Sequence, residues 1–288
     1  MKIILKVIKL NYKIIVTFIM LILVTTTLCI YANVNASEPA GIKLPIVMYH
    51  SILKDPAKSG KYIISPAVLE NDLQYIKKQG YTTITMTELI NFVYNDGVLP
   101  EKPIIITFDD GHYNNLTYAV PLLEKYDMKA VISIVGKYTD TFTESNEANT
   151  NYSYLRWCDI NALLKSNIIE FQNHTYNLHS NSNGRTGCMK KSNESLENYK
   201  TLLSEDINKL QTEFKEHTDY IPNTFTYPFG GVSKGSTDII KSLGFKASLS
   251  CSSGINYISK NPDCLYLLKR TNRPSYISSE QFFRKLLK

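Results

Sequence analysis

The sequence predicts an α/β domain whose mostly parallel sheet is closed, or nearly closed, into a barrel. Apolar strand patterns and amphipathic helix patterns alternate over most of the chain, as they do when helices connect parallel strands. Residues 37–288 are enough for one large core, and they contain neither an internal repeat nor a sign of a second domain. One strand pattern also ends in adjacent carboxylates, and α/β barrels carry their chemistry at the carboxyl ends of their strands.

Each predicted element depends on a local pattern. Short apolar and β-branched runs predict strands at 45–49, 81–85, 104–108, 130–135, 168–171, 224–227, 246–250 and 266–269. Helical periodicity and caps predict helices at 66–79, 87–94, 115–126, 159–165, 194–216, 237–243 and 279–287. Polar stretches at 138–154 and 181–193 are predicted to be surface loops. The first of them follows a strand, so we expect it to rim the mouth of the barrel.

The first 36 residues are predicted to be an export signal or a membrane anchor, separate from the fold. A long apolar segment, residues 14–32, precedes Val34-Asn35-Ala36, which fits a small-residue cleavage site. The apolar segment is nearly long enough to span a bilayer, so a retained tether is the alternative to cleavage. We expect a signal peptide or anchor at 1–36, a linker at 37–42 and one domain at 43–288. The domain would then be secreted, or held at the outer face of the cytoplasmic membrane.

The basic charge of the chain lies mostly in this leader. The formal net charge is +6, and the four lysines Lys2, Lys6, Lys9 and Lys13 precede residue 37 with no acidic residue among them, which leaves +2 for the rest. Domains that bind nucleic acid carry a basic face of their own, so the charge argues against a nucleic-acid partner.

Four cysteines follow the leader: Cys158, Cys188, Cys251 and Cys264. They contain no Cys-x-x-Cys pair, so a cysteine zinc site is not expected. Export permits disulfides, and Cys251 with Cys264 is the pair that proximity favours. Buried free thiols are the alternative.

Asp109 and Asp110 directly follow the strand pattern 104–108, and Gly111 comes next. Two adjacent carboxylates repel each other unless a cation or a proton lies between them. Because Asp-Asp-Gly also occurs in ordinary turns, this pair alone predicts a functional site only weakly.

His174 and His179 form a second pattern, five residues apart. On a helix the two rings would point about 140° apart, and on a strand they would lie on opposite faces. Only a turn that leaves the strand 168–171 could bring both to one ion. One carboxylate and two imidazoles leave an open position for water, as in catalytic zinc sites. The alternative is a capped turn with solvated histidines.

A third pattern, Tyr227-Pro228-Phe229-Gly230, ends the strand 224–227. It predicts either a tight turn with packed rings or a rigid aromatic wall with exposed backbone N–H groups beside a site.

In this order, the three patterns resemble the polysaccharide deacetylases, the NodB-homology enzymes of carbohydrate esterase family four. The matching segments are residues 107–111, His174-Thr175 with His179, and residues 227–230, and the resemblance covers roughly residues 43–275. The resemblance implies a distorted (β/α) barrel of the NodB-homology type. It also implies hydrolysis of the acetamide groups of N-acetylated sugars.

The resemblance also implies roles for individual residues. Asp109 corresponds to the general base, and Asp110, His174 and His179 correspond to the metal ligands. A backbone N–H near residues 227–230 would help to hold the oxyanion.

Substrate contacts are expected from the third pattern and from one further ring. The residues are Tyr227, Pro228, Phe229, Gly230 and Trp157. Trp157 is included because it is the only tryptophan and aromatic rings stack on sugars, although buried core aromatics are commoner.

Two further assignments follow from departures from the family pattern. No histidine follows Thr224, so the usual late general acid is absent, and His50 at the end of strand 45–49 is the candidate to replace it. An early Tyr-His and the five-residue histidine spacing resemble the family branch that acts on poly-β-1,6-N-acetylglucosamine. Thr226 lies where many members have an arginine, so Arg270, or Arg273 as second choice, is the candidate to orient Asp109.

The prediction is an exported, metal-dependent N-deacetylase of an N-acetylglucosamine-containing polysaccharide in the cell wall or outside the cell. Zinc is the predicted metal, and cobalt, nickel or iron would also suit one oxygen and two nitrogen ligands. Two alternatives stay open: a catalytically silent glycan-binding wall protein, and a metal-dependent O-acetyl esterase.

Overall fold

The computed structural model describes residues 12–34 and 41–287. The chain divides into two compact units, residues 1–40 and residues 41–288. Helix α1, Tyr12–Val34, is the described part of the first unit. No helix in the described ranges combines the length and the apolar character that crossing a membrane requires. Residues 1–11 and 35–40 lie outside the described residues. They include most of the basic segment, of the predicted cleavage site and of the predicted linker, so the export signal stays a prediction.

The second unit contains the remaining helices and all the described strands. The strands are β1 (Ile42–Leu44), β2 (Ile46–Tyr49), β3 (Ser51–Ile52), β4 (Ile63–Ile64), β5 (Thr82–Thr83), β6 (Pro103–Phe108), β7 (Ala130–Ile134), β8 (Ile169–Asn173), β9 (Asn181–Ser182), β10 (Arg185–Thr186), β11 (Thr224–Thr226), β12 (Ala247–Leu249), β13 (Asn256–Ile258) and β14 (Thr271–Asn272). The helices are α2 (Pro66–Lys78), α3 (Met86–Tyr94), α4 (Val120–Tyr126), α5 (Gly136–Ser145), α6 (Trp157–Leu164), α7 (Leu196–Thr218), α8 (Ser236–Ser242) and α9 (Ser279–Leu286), with a π-helical turn at Asn115–Ala119 before α4.

The main sheet has eight strands in the order β12-β11-β8-β7-β6-β2-β14, with β5 paired to β6. Every pair in it is parallel. A single parallel bridge between Leu249 and Leu268 links the β12 end of the sheet to the segment that leads into β14. The sheet is therefore curled into a nearly closed barrel, which confirms the predicted fold class.

The two faces of the strands pack into different clusters. Ile46, Ile105 and Leu249, from three different strands, lie together inside the curled sheet. Their neighbours Val47 and Ile106 pack against the helices outside it. Because successive side chains of a strand point to opposite faces, every second residue after an inward position also points inward, as Thr107 and Asp109 do after Ile105. This alternation is what brings the site residues together.

Three predicted elements differ from the structure, and one of them is the predicted loop 181–193, which contains the short antiparallel hairpin of β9 and β10. The predicted strand 266–269 contributes only the bridge at Leu268, and the strand itself, β14, begins at Thr271. The predicted loop 138–154 begins as helix α5, which runs to Ser145, and only its second half is irregular. The positive φ of Leu267, 58°, interrupts the predicted strand 266–269, whereas in the two predicted loops polar residues obscured the local pattern and tertiary packing decided the element.

The four cysteines within residues 41–287 are free, so the favoured Cys251–Cys264 pair is not formed. The Cys251 thiol lies 3.8 Å from Nη2 of Arg270, whereas the Cys264 thiol lies 3.6 Å from the backbone oxygen of Ser259. The two thiols therefore have separate partners.

A buried ion pair joins helix α2 to the end of β14. Asp72 and Arg273 are both almost fully buried. The carboxylate accepts hydrogen bonds from Nε and Nη2 of Arg273, at 2.8 and 3.1 Å, and from the hydroxyl of Tyr49 at 3.0 Å. Removing the carboxylate would leave a guanidinium charge and a hydroxyl without their partner inside the core.

We therefore expect Asp72→Ala to lower the free energy of unfolding by about 3–5 kcal/mol in urea denaturation. The matched control is Asp263→Ala, which removes a mostly exposed carboxylate 2.7 Å from Lys241 and should cost about 1 kcal/mol or less. Equal losses in the two variants would contradict a structural role for the buried pair.

Candidate metal centre and active site

A cavity of about 780 Å³ opens at the carboxyl ends of the parallel strands. Six of the residues that line it were predicted from the sequence: His50, Asp109, Asp110, His174, His179 and Phe229. They come from the ends of β2, β6 and β8 and from the turn after β11. The structure thus brings most of the predicted site into one cavity, at the edge where parallel barrels carry their sites.

Asp109 and Arg270 form a fully buried, two-pronged ion pair. Nη1 and Nη2 of Arg270 donate to the two carboxylate oxygens at 2.6 and 2.8 Å. Arg270 also donates hydrogen bonds from Nη1 to the hydroxyl of Thr107 and from Nε to the backbone oxygen of Ser250, and these contacts fix the orientation of its guanidinium group. Burial raises the pKa of Asp109 and is the largest single effect on it, but the charge and hydrogen bonds of Arg270 together with the nearby His174 and His50 lower it by more, so the net shift is downward. Asp109 is therefore a carboxylate at neutral pH, with one orientation.

Asp110, His174 and His179 converge on one point. Oδ1 of Asp110 lies 3.1 Å from Nε2 of His179 and 3.5 Å from Nε2 of His174, and the three ligand atoms lie within 4.8 Å of one another. A tetrahedral ion with bonds of about 2.0–2.2 Å separates its ligand atoms by about 3.3–3.6 Å. Oδ1 of Asp110 is also buried without a hydrogen-bond partner in the described part of the chain. Donor set, spacing and unpaired oxygen all fit a divalent metal ion.

The backbone conformation of two short segments makes this convergence possible. Asp110 and Gly111 both have positive φ, 72° and 75°, so the chain turns sharply at the end of β6. A Cβ on Gly111 would lie 2.8 Å from the side chain of Ile134, which leaves room only for glycine. Thr175, directly after His174, also has a positive φ of 75°. The turn that starts there returns His179 to the same side as His174.

Neighbouring groups orient the two imidazoles. Nδ1 of His174 lies 2.8 Å from the backbone oxygen of Thr226. Because a carbonyl oxygen only accepts, Nδ1 carries the proton and the lone pair of Nε2 faces Asp110. The backbone oxygen of His179 accepts a hydrogen bond from the Tyr138 hydroxyl at 3.1 Å, and the Phe229 ring packs 4.5 Å from the imidazole.

His50 lies in the wall of the same cavity. Its ring packs against Tyr62, with centroids 4.8 Å apart. Its Nδ1 atom is buried and has no hydrogen-bond partner within residues 41–287. Burial lowers the pKa of His50, although Asp109 and Asp110 pull it upward, so the imidazole is neutral at neutral pH. An unpaired imidazole nitrogen beside a carboxylate is a group available to a substrate.

Only one side chain of the 227–230 turn faces the cavity. Phe229, with a φ of 55°, is half exposed there. The side chain of Tyr227 points to the outer face of the sheet, as that of Phe225 does in β11, and its hydroxyl donates a hydrogen bond to Ser236. Pro228 is buried. The N–H groups of Tyr227, Gly230 and Gly231 already donate to backbone oxygens. An oxyanion donor from this turn would therefore have to be the N–H of Phe229.

The structure does not bring Trp157 to the site. Its ring is buried at the start of α6, packs against Phe214 of α7 and stacks on His217, and its Nε1 donates to Asp140. The prediction that it contacts substrate is therefore corrected. The half-exposed rings that line the cavity with Phe229 are instead Tyr62 and Tyr152. Tyr152 lies in the stretch predicted to rim the mouth, whereas nothing in the sequence distinguished Tyr62 from other tyrosines.

Comparisons with known proteins agree with this geometry. Residues 96–248 match the family model described as polysaccharide deacetylase. The chain is 20% identical over 227 residues to the poly-beta-1,6-N-acetyl-D-glucosamine N-deacetylase of Escherichia coli K12, covering 73% of the chain and 34% of that protein. The corresponding protein of Staphylococcus aureus is 23% identical over 227 residues, with 79% and 71% covered. The chain thus spans about a third of the Escherichia coli relative.

Solved structures with the same fold include two deacetylases. The Streptococcus pyogenes deacetylase PplD, in complex with acetate, has a TM-score of 0.69 at 22% identity, over 86% of this chain and 99% of that one. A de-N-acetylase from Aggregatibacter actinomycetemcomitans has a TM-score of 0.72 at 21% identity, over 84% and 99%. These structures support the same curled barrel.

We expect the purified protein to bind a divalent ion tightly and His179→Ala to bind it at least tenfold more weakly, because one of three ligands is lost. Metal content after dialysis against limiting zinc measures this. His217→Ala is the control, since that imidazole is partly exposed and pairs with Glu213 away from the cavity. Full metal retention in His179→Ala would contradict the assigned site.

Proposed function

The chain belongs to the polysaccharide deacetylase family, and we propose that it is an exported, metal-dependent hydrolase of N-acetyl groups. Its substrate would be the N-acetylhexosamine residues, foremost N-acetylglucosamine, of a cell-wall or extracellular polysaccharide. The observation that carries the proposal is one cavity in which a fixed, ionised carboxylate, Asp109, adjoins the three convergent ligands Asp110, His174 and His179.

Asp110, His174 and His179 would hold the ion. One oxygen and two nitrogen ligands suit zinc, and cobalt, nickel or iron could replace it. When bound, the ion supplies Lewis acidity that activates a water molecule and polarises the acetamide carbonyl. An exported or surface location for the chain rests on the leader sequence, and a membrane tether through residues 14–32 is part of the same proposal.

Asp109 would act as the general base. The two Arg270 contacts occupy one lone pair of each carboxylate oxygen and leave another free to accept a proton. Because Arg270 fixes the plane of the carboxylate, the proton acceptor is aimed at the attacking water before the substrate binds. Arg270 thus acts as a positioning residue through Asp109.

His50 would deliver a proton to the leaving nitrogen. The neutral imidazole first has to gain a proton, and the proton that Asp109 removes from water is available for this within the same cavity. Cleavage of the C–N bond then yields acetate, and the sugar nitrogen leaves as an amine because it has received a proton. The unpaired Nδ1 of His50 supports this role.

Three half-exposed rings around the cavity would contact the sugars. Tyr62, Tyr152 and Phe229 are each about half exposed and line it from different loops. Aromatic faces pack against the C–H faces of sugar rings, so the polymer is expected to bind across them.

We expect Asp109→Asn to release acetate from N-acetylglucosamine oligomers about 10²–10⁴-fold more slowly than the wild type, because the amide cannot take a proton from water. Its metal content should be unchanged. Asp263→Asn, on the surface, is the control and should keep full activity. A fully active Asp109→Asn protein would contradict the proposed function.

We expect His50→Ala to slow hydrolysis of N-acetylglucosamine oligomers by about 10²-fold or more, yet to slow hydrolysis of an activated aryl acetate much less. The reason is that an amine leaving group needs a proton and a phenolate does not. Parallel rates on both substrates measure the difference, with His217→Ala as control. Equal losses on amide and ester would mean that His50 does not act as the acid.

A further inference from the structure

The turn that carries two of the three ligands is strained and closely held. His174 and His179 are separated by the four-residue segment 175–178, which begins at a threonine with φ of 75°. β-Branched residues rarely adopt positive φ, and such a conformation costs about 1–3 kcal/mol unless its surroundings impose it. The contacts that impose it therefore decide where the two imidazoles lie.

Asp206 of helix α7 makes the most specific of these contacts. Its Oδ1 accepts the N–H of Tyr176 and its Oδ2 accepts the N–H of Asn177, each at 2.8 Å. The first residues of helix α5 also hold the turn, because the N–H groups of Gly136 and Lys137 donate to the backbone oxygens of Thr175 and Tyr176, at 3.1 and 2.8 Å. One carboxylate thus holds two consecutive N–H groups at the middle of the turn.

Burying the Asp206 carboxylate in its charged form costs the folded protein stability. Burial raises the pKa of Asp206 to about 6, even though the two N–H groups and the nearby Lys209 favour its charged form. A group whose pKa rises on folding is less favourable in its charged state in the folded protein than in the unfolded chain. At neutral pH the charged Asp206 therefore lowers the stability of the fold, and its two hydrogen bonds to the turn are kept at that cost.

We propose that Asp206 is a positioning residue of the metal centre. By binding the N–H groups of Tyr176 and Asn177, it keeps the turn in the conformation in which His174 and His179 reach the same point as Asp110. The inference rests on the metal site proposed above, and it concerns a residue that touches neither the ion nor the substrate.

The test is cobalt affinity, measured from the visible absorption of the cobalt-loaded protein, in wild type and in Asp206→Asn. An asparagine has nearly the same shape, but it can accept only one of the two hydrogen bonds, because its amide nitrogen is a donor. We expect cobalt to bind about 10–100-fold more weakly and the absorption bands to change with the ligand geometry. The unfolding temperature of the metal-free protein should change little.

Two control variants separate this role from general stability. Glu205→Gln changes the neighbouring, exposed carboxylate of the same helix and should bind cobalt like the wild type. Asp72→Ala destabilises the fold away from the turn and should also keep its cobalt affinity.

An Asp206→Asn protein with wild-type affinity and spectrum would overturn the inference while leaving the metal site intact. Loss of cobalt in Asp72→Ala to the same extent would overturn it in favour of a stability effect. If the wild type bound no cobalt or zinc, the metal site and the role of Asp206 would both fail.

Discussion

Two adjacent carboxylates, Asp109 and Asp110, end strand β6 inside the barrel, and each needs its own source of positive charge. Asp109 receives it from Arg270, which reaches both oxygens from the far edge of the sheet. Asp110 faces three imidazoles, those of His174 and His179 at Oδ1 and that of His112 at Oδ2. Its Oδ1 has no hydrogen-bond partner in the described part of the chain, so a bound metal ion would supply its positive charge. Because both charges are removed from water, neither arrangement can be loosened without leaving an uncompensated carboxylate. The rest of the site is arranged around this division.

The ion pair between Arg270 and Asp109 also holds the seam of the barrel, the place where the β12 end and the β14 end of the sheet meet. Arg270 precedes the short strand β14, and its Nε donates to the backbone oxygen of Ser250 just beyond β12 at 2.9 Å. Since β12 and β14 are the two ends of the sheet, Arg270 joins the seam to β6 in the middle of it. Arg273, on the other side of β14, pairs with Asp72 of helix α2. A strand of only two residues thus depends on ion pairs at both of its ends for its place in the fold.

Backbone strain is concentrated where the chemistry would occur. Among described non-glycine residues with positive φ, only Thr175, Phe229 and Leu267 are neither aspartate nor asparagine, and the first two belong to the site. Asp110 shares this conformation at the end of β6. Such conformations persist only when packing and hydrogen bonds around them impose them. The hydrogen bonds from Asp206 and from the start of helix α5 to the 174–179 turn illustrate how the fold supplies that constraint.

The sequence by itself determined the fold class, the order of the main strands and helices, and which residues leave the strand ends: His50, Asp109, Asp110 and His174. These follow from local patterns, since apolar alternation and caps are properties of neighbouring residues.

Only the tertiary structure decided that Arg270 reaches Asp109 across the seam, that Trp157 packs on helix α7 away from the cavity, and that Tyr62 and Tyr152 line it. The sequence carried no signal for Tyr62 or Asp206, and it named Arg270 only as a candidate. These contacts join residues far apart in the chain, and their geometry is set by how the sheet curls and where the helices pack. The roles of these residues in catalysis and metal binding stay predictions that the proposed variants test.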